Sequence, residues 1–147
     1  MMEQHVFHIL RGYWKLYKEV IFFSGEMVAR YDGVARYTNR ETEVLLYREE
    51  GMLQMASGAN MRAFQGYYFV MEKHLNVYFD EEKKRLFHTF SFLDSKEFPL
   101  RAKGEHYCKC DHYSVEYLFH HSDHYEVVYS VTGPKKNYRI FCTAMRA

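Results

Sequence analysis

The sequence predicts an all-β fold: a single antiparallel, up-and-down, calycin-like β-barrel of about ten strands with a short N-terminal helix. The chain has 14 Tyr and 12 Phe but only 2 Pro among 147 residues, and aromatic residues favour strands. Apolar and polar residues alternate along most of the chain, which is the periodicity of strands. Turn residues interrupt this alternation at the spacing of about 8 to 12 residues that is typical of sandwiches and barrels.

The predicted elements follow one another with few irregular residues between them. The helix covers Glu3 to Leu10, and the strands cover Tyr13 to Phe23, Glu26 to Thr38, Glu43 to Leu53, Met61 to Met71, Leu75 to Phe79, Arg85 to Phe92, Glu105 to Cys110, His112 to His120, Tyr125 to Thr132 and Tyr138 to Arg146. Strands with such short links must be antiparallel neighbours, because a parallel crossover needs about a dozen residues. The longest irregular segment, Leu93 to Lys103, is predicted to be a loop or lid.

The length of the chain predicts one domain that spans residues 1–147. Closing the sheet into a barrel removes its unpaired edges, and about ten strands leave an interior wide enough for a small ligand. The prediction is therefore a barrel with a lumen.

Composition and charge exclude several classes of function. The net charge of +1 lacks the basic excess that nucleic-acid binding requires. The longest apolar runs, Val20 to Phe23 and Tyr67 to Met71, are far shorter than the roughly 20 residues of a membrane span. The first residues do not resemble a signal peptide, and Cys108 and Cys110 are too close on one strand to bond each other. We therefore expect a cytoplasmic protein with reduced thiols.

Polar side chains share the apolar faces of several predicted strands. In the sixth strand His88 alternates with Leu86, Phe90 and Phe92, so His88 is predicted to face inward and Phe87 outward. The same alternation predicts the inward residues of the last three strands. They are Tyr113, Val115, Tyr117 and Phe119 on one strand, Tyr125, Val127, Tyr129 and Val131 on the next, and Tyr138, Ile140, Cys142 and Ala144 on the last.

Two charged residues are candidates for the interior. Glu49 shares a face with Tyr47 on the third strand, and Lys18 shares a face with Trp14 on the first. A buried charge is costly unless it is paired or solvated, so these residues either meet each other or contact lumen water or ligand. The alternative is a one-residue bulge that puts both in solvent.

His106 and Cys108 could support metal binding or catalysis. Positions two apart on a strand can reach one ion, but His106 and Cys110 lie about 13 Å apart, so one ion cannot take all three. Zinc would need further ligands from His88, Asp111 or another strand. Cys108 could also be a nucleophile with His106 or His88 as its base, and either histidine could bind a haem iron. These options stay alternatives, and the prediction is a protein without a bound metal ion or other cofactor.

The start of the first strand resembles that of lipocalins and related calycins. Gly12-Tyr13-Trp14 follows the helix, as in the Gly-x-Trp start of those proteins. The resemblance implies that Trp14 closes one barrel end and packs against an arginine of the last strand, whose position Arg146 matches.

From Leu10 onward the chain also resembles an uncharacterised bacterial family of small calycin-like domains. The matching motifs are Tyr47-x-Glu49-x-Gly51, Phe87-His88-Thr89-Phe90, His106-Tyr107-Cys108, Asp111-His112-Tyr113 and the segment from Tyr129 to Tyr138. That last segment departs from the family's Trp-x-Val-x-Gly-Pro-Arg-Lys-Asp-Tyr pattern at Tyr129, Lys135 and Asn137. The family has no established activity, so the resemblance implies a fold and no particular reaction.

The resulting prediction is a barrel that binds a small, partly apolar molecule with polar or acidic groups. The expected ligand contacts are Tyr47, Glu49, Tyr67, His88, His106, Cys108, Tyr113 and Tyr129, because ligand pockets combine apolar walls with a few convergent polar groups. Two alternatives use the same lumen: a cofactor-free isomerase, cyclase or hydrolase with His, Glu or Cys in the lumen, and a haem-binding barrel. A third is a structural or interaction module whose interior is filled by its own aromatic side chains.

Overall fold

A computed structural model describes residues 2–93 and 96–147. It contains one helix, α1 (Met2–Leu10), and the strands β1 (Gly12–Phe22), β2 (Met27–Glu41), β3 (Val44–Met55), β4 (Asn60–Met71), β5 (Leu75–Tyr78), β6 (Leu86–Thr89), β7 (Ser91–Phe92), β8 (Leu100–Cys108), β9 (Asp111–His121), β10 (His124–Thr132) and β11 (Asn137–Arg146). In the described part of the chain, no helix is both long enough and apolar enough to cross a membrane.

All the strands belong to one antiparallel sheet in the order β6-β5-β4-β3-β2-β1-β11-β10-β9-β8-β7. The two edges of this order, β6 and β7, are separated only by Phe90, so they are two halves of one bent segment. One half pairs with β5 and the other with β8, which brings the ends of the sheet together into a nearly closed barrel. The predicted all-β barrel with its short helix is confirmed, and the strand count is eleven because this bend divides the predicted sixth strand.

One end of the barrel is closed by α1 and Trp14. The helix buries Val6, Phe7 and Leu10, and the indole of Trp14 donates a hydrogen bond to the Leu10 carbonyl oxygen at 2.8 Å. The Arg146 guanidinium lies 4.1 Å from the centre of the Trp14 ring and donates to backbone carbonyls at Arg11 and Ile9, each at 2.6 Å. The expected packing of Trp14 against Arg146 is confirmed.

The predicted loop from Leu93 to Lys103 is wrong in its second half. Residues 100–103 belong to β8 and pair with β9, and Leu100 and Ala102 are buried. The alternation of Leu100, Ala102 and Gly104 is the inward face of this strand, but its small residues give a weak apolar signal. Asp94 and Ser95 of the predicted loop lie outside the described residues.

Candidate functional site

The interior of the barrel is almost solid. Its cavity measures about 20 Å³, which is room for one water molecule. The side chains around it include Tyr47, Glu49, Tyr67, His88 and Tyr129, all of them predicted ligand contacts. A haem or a drug-sized molecule needs a pocket of about 300 Å³ or more, so neither fits inside the barrel in this conformation.

An ion pair crosses the interior between β1 and β3. Lys18 Nζ lies 2.7 Å from Glu49 Oε2, and the Tyr47 hydroxyl donates to Glu49 Oε1 at 2.6 Å. The side chains of Lys18 and Glu49 are 14% and 5% exposed. Of the alternatives that the sequence leaves open, the structure shows the one in which these two charges meet, and the alternative that a bulge puts both in solvent is wrong.

Two glycines make room for an aromatic ring beside this ion pair. A Cβ atom at Gly33 or Gly51 would lie within 2.7 Å of Tyr31 side-chain atoms, so the Tyr31 ring covers both positions. Lys18 Nζ is 4.8 Å from the centre of the same ring. The ammonium group thus contacts a carboxylate and an aromatic face, which partly compensates its loss of water.

His88 lies at the seam where β6 faces β8. It is 1% exposed, and its Nε2 is 3.1 Å from the Tyr117 hydroxyl. A Cβ atom at Gly104 on β8 would lie 2.5 Å from His88 Nδ1, so only glycine leaves space for the imidazole. Burial and the nearby His106 lower the pKa of His88 to about 3, which keeps the ring neutral.

Phe87 is the centre of an aromatic cluster at the open end of the barrel, opposite α1. Its ring centroid lies within 6.4 Å of six other rings, those of Tyr67, Phe79, His88, His106, Tyr113 and Tyr129. The prediction that Phe87 faces outward is wrong. The register shifts between Val77 and Tyr78 of β5, which pair with His88 and Leu86, so Phe87 is an extra residue and both Phe87 and His88 turn inward. Leu86, predicted to face inward, is 44% exposed.

His106 and Tyr113 form the outer part of this cluster. Both are half-buried, they pair across β8 and β9, and their ring centroids are 5.9 Å apart. Lys136 Nζ lies 3.3 Å from the Tyr113 hydroxyl and 3.3 Å from Asp111 Oδ2. These three residues, His106, Tyr113 and Lys136, are called the rim below. They place an imidazole, a phenol and an ammonium group on the solvent side of the rings.

Deeper in the barrel the phenols are held neutral. Burial raises the pKa of Tyr47 and Tyr129 well above 10, and the Glu49 carboxylate adds to the rise for both. Tyr67 accepts a hydrogen bond from the Gln65 amide. These hydroxyls can therefore donate and accept hydrogen bonds, but they do not supply negative charge at neutral pH.

The structure brings together seven of the eight predicted contacts and leaves out Cys108. Cys108 is exposed and pairs with Asp111 beside the turn between β8 and β9, so the expectation that it faces the lumen with His106 is wrong. The buried cysteine is Cys142, whose pKa burial raises to about 12. Cys142 is therefore a protonated thiol and a poor nucleophile.

The sequence missed two residues that shape this region, Phe87 and Gly104. Strict alternation assigned Phe87 to the wrong face, because the extra residue in β6 is visible only in its pairing with β5. Gly104 carries no chemistry of its own, so its residue type does not indicate this role.

A larger concavity of about 640 Å³ lies on the outer side of β1 to β4 and includes Tyr13, Arg36, Arg48 and Phe64.

The fold and the closed end define a lipocalin-like barrel whose aromatic interior contains the ion pair of Lys18 and Glu49. The chain belongs to the Family of unknown function (DUF6314), whose model matches residues 10–146. No curated protein matches the chain in sequence.

The structure resembles solved structures at very low sequence identity. The S-type phycobiliprotein lyase CPES from Guillardia theta aligns over 98% of this chain and 92% of its own, with a TM-score of 0.68 and 8% identity. EF1p2_mFAP2b bound to DFHBI aligns over 99% of both chains with a TM-score of 0.49 and 8% identity. The likeness to the lyase relates the folds and, at 8% identity, carries no residue roles.

Proposed function

We propose that the protein binds a small, partly apolar ligand at the open end of the barrel, against the rings around Phe87. The observation that carries this proposal is the aromatic cluster around Phe87 at the open end, with the polar groups of His106 and Tyr113 at its outer part. Replacing a buried ion pair with apolar residues is often neutral or stabilising. The buried pair of Lys18 and Glu49 beneath the cluster is therefore not explained by stability alone, and only a ligand that displaced the rings above it would contact these charges.

The side chains suggest the chemistry of the ligand. Phe79, Phe87 and Tyr129 are stacked in turn, with interplanar angles of 23° and 8°, so they favour a flat, apolar or conjugated body. His106 and Tyr113 at the rim can donate hydrogen bonds to a carboxylate or another acidic group, and Lys136 adds its charge when it turns away from Asp111, 3.3 Å from it. A conjugated molecule with one or two acidic groups fits both features.

The depth at which the ligand sits follows from the volume of the interior. A cavity of about 20 Å³ is too small to hold a ligand inside the barrel. The ligand therefore contacts Phe87 and the rim first and reaches the ion pair only if rings move. The lyase that shares the fold is named for action on a phycobiliprotein. That activity belongs to the lyase, and the proposal of a conjugated ligand depends on the side chains of this chain.

The test is binding of 8-anilinonaphthalene-1-sulfonate, a small apolar acid whose fluorescence increases in apolar surroundings. We expect saturable binding of one molecule per chain. Ala63 faces the core and is partly buried, so Ala63→Trp should fill the open end and reduce the affinity at least about tenfold, or about 1.4 kcal/mol. The neighbouring Phe64, which is 68% exposed in the outer concavity, provides the matched control Phe64→Ala.

The two variants separate the possible sites. Loss of binding in Ala63→Trp with binding kept in Phe64→Ala supports a site in the barrel mouth. The opposite pattern assigns the dye to the outer concavity and contradicts the proposal. Absence of saturable dye binding by the parent, together with no small molecule released when protein purified from its own host is denatured and analysed by mass spectrometry, supports a solid structural barrel.

A further inference from the structure

A second cluster of chemically active side chains lies on the outer face of the hairpin formed by β9 and β10. His124 pairs with His121, but the next residue, Tyr125, pairs with Phe119. Phe119 is buried, so alternation places the next residue, His120, on the outer face. The register shift is a bulge at His120 that brings His121 onto the same face. His124 and Glu126 are two apart on β10 and share that face.

The three side chains are close enough to hold one ion. His120 Nε2 lies 2.7 Å from Glu126 Oε1, and the His120 and His124 rings are stacked with centroids 4.3 Å apart. One ligand atom from each of the three residues lies within 4.8 Å of the others. Ligand atoms around a tetrahedral zinc ion are about 3.3 Å apart, given bonds of about 2.0 to 2.1 Å, so small side-chain rotations are sufficient.

Two further observations set this cluster apart from an ordinary polar surface. His124 Nε2 is buried and has no hydrogen-bond partner among the described residues, whereas most buried polar atoms have one. The residues of β11 that pair with His124 and Glu126 are Met145 and Thr143. Neither is a cation, so no neighbour on that strand competes with a metal ion for the carboxylate.

We propose that His120, His124 and Glu126 form a binding site for a divalent transition-metal ion of the zinc class. Two imidazoles and one carboxylate are a donor set that zinc accepts in proteins, with a fourth position left to water or another ligand. Imidazole ligands also suit copper and nickel, so selectivity depends on geometry and availability. The site is on the outer face and is independent of the ligand proposed for the barrel mouth.

The test is calorimetric titration of the full chain, prepared without a polyhistidine tag, with zinc chloride at pH 7.5. We expect one ion per chain. Loss of an outer-shell partner alone weakens metal sites by about 10- to 100-fold, so His124→Ala and Glu126→Gln should each weaken binding at least about tenfold. Both side chains lie on the surface of the barrel, and far-UV circular dichroism verifies that each variant is folded.

His74 provides the matched control. Its Nδ1 lies 3.7 Å from Glu3 Oε2, so it is a histidine and carboxylate pair that lacks the second imidazole. His74→Ala should leave zinc affinity unchanged. In NMR spectra, zinc should shift the imidazole nitrogen signals of His120 and His124 but not those of His74. Absence of one-to-one binding, an equal loss in His74→Ala, or unchanged signals from His120 and His124 would overturn the proposal.

Discussion

Substitution of Gly104 by alanine tests how the barrel is closed. A Cβ atom at this position would lie 2.5 Å from His88 Nδ1 and 2.8 Å from His88 Cβ and Cγ. Real Cβ atoms do not approach other heavy atoms so closely, so the imidazole or the backbone of β8 must move. His88 is held between Phe87, Phe90 and Tyr117, which leaves little room for that movement.

The expected loss of stability follows from two effects. Inserting a methyl group into a packed core costs about 1 to 3 kcal/mol. Moving the imidazole also separates His88 from the Tyr117 hydroxyl, and unpaired buried polar groups cost about 1 to 3 kcal/mol. Alanine regains about 0.5 to 1 kcal/mol because glycine is unfavourable within a strand. The net prediction is a destabilisation of about 3 kcal/mol, which lowers the Tm by about 6 to 12 °C for a chain of this length.

Urea denaturation measures this change, with Gly66→Ala as the matched control. Gly66 is also a strand glycine, but its Cβ would meet only the Tyr47 carbonyl oxygen at 3.2 Å and the Arg48 side chain at 3.9 Å. We expect Gly66→Ala to change the free energy of unfolding by less than about 1 kcal/mol. In a His88→Ala background, Gly104→Ala should cost little, because the clashing ring is gone. A Gly104→Ala protein within about 1 kcal/mol of the parent would refute the proposed packing at the seam.

Two further predictions concern the closed end and the buried histidine. Trp14→Ala removes an indole packed against Arg146 and should cost about 3 to 5 kcal/mol in urea denaturation; a loss below about 1 kcal/mol would contradict closure by this residue. The pKa of His88 is lowered to about 3 from about 6.5 in the unfolded chain, so the unfolded state binds the extra proton between these values. Stability should be complete above about pH 6.5 and fall as the pH decreases toward 3. The fall should be smaller in His88→Asn, and parallel curves for the two proteins would count against a neutral buried His88.

The strands and most of their inward faces could be predicted because alternation is a local property. On β9 and β10 the predicted inward residues Val115, Tyr117, Tyr125 and Val127 are all buried. These strands pair without a register shift between Tyr125 and Thr132, so the period of two is unbroken there. The pairing of Lys18 with Glu49 was one of the alternatives that the sequence left open, because a charge on an apolar face needs a partner or solvent.

The errors occur where tertiary closure changes the local pattern. Phe87 faces inward instead of outward because β6 has one extra residue opposite β5. This occurs where the bent segment of β6 and β7 must pair with β5 on one side and β8 on the other. Alternation contains no information about such a bulge. Cys108 was assigned to the lumen by its spacing from His106, but the strand reaches its turn at Lys109, whose φ is 57°, and the side chain is in solvent.

The packing of the interior could not be predicted from the sequence either. Whether 26 Tyr and Phe residues line a lumen or fill it depends on how rings from several strands fit together. Tyr37 and Tyr47, for example, come from paired strands and their centroids are 4.6 Å apart, while Tyr37 also meets Tyr125 through hydroxyls 2.8 Å apart. Contacts across the barrel of this kind are what reduce the cavity to about 20 Å³.

The filled interior determines how deep a ligand can bind. To reach the Lys18 and Glu49 pair, a ligand would have to displace Phe87, and removing such a ring from a packed core costs about 3 to 5 kcal/mol. If the ligand does not restore those contacts, this cost weakens its apparent affinity by about 100- to 5000-fold. A ligand that rests on Phe87 and uses His106 and Tyr113 avoids the cost. Binding at the rim is therefore favoured unless the ligand's own rings replace Phe87 in the stack between Phe79 and Tyr129.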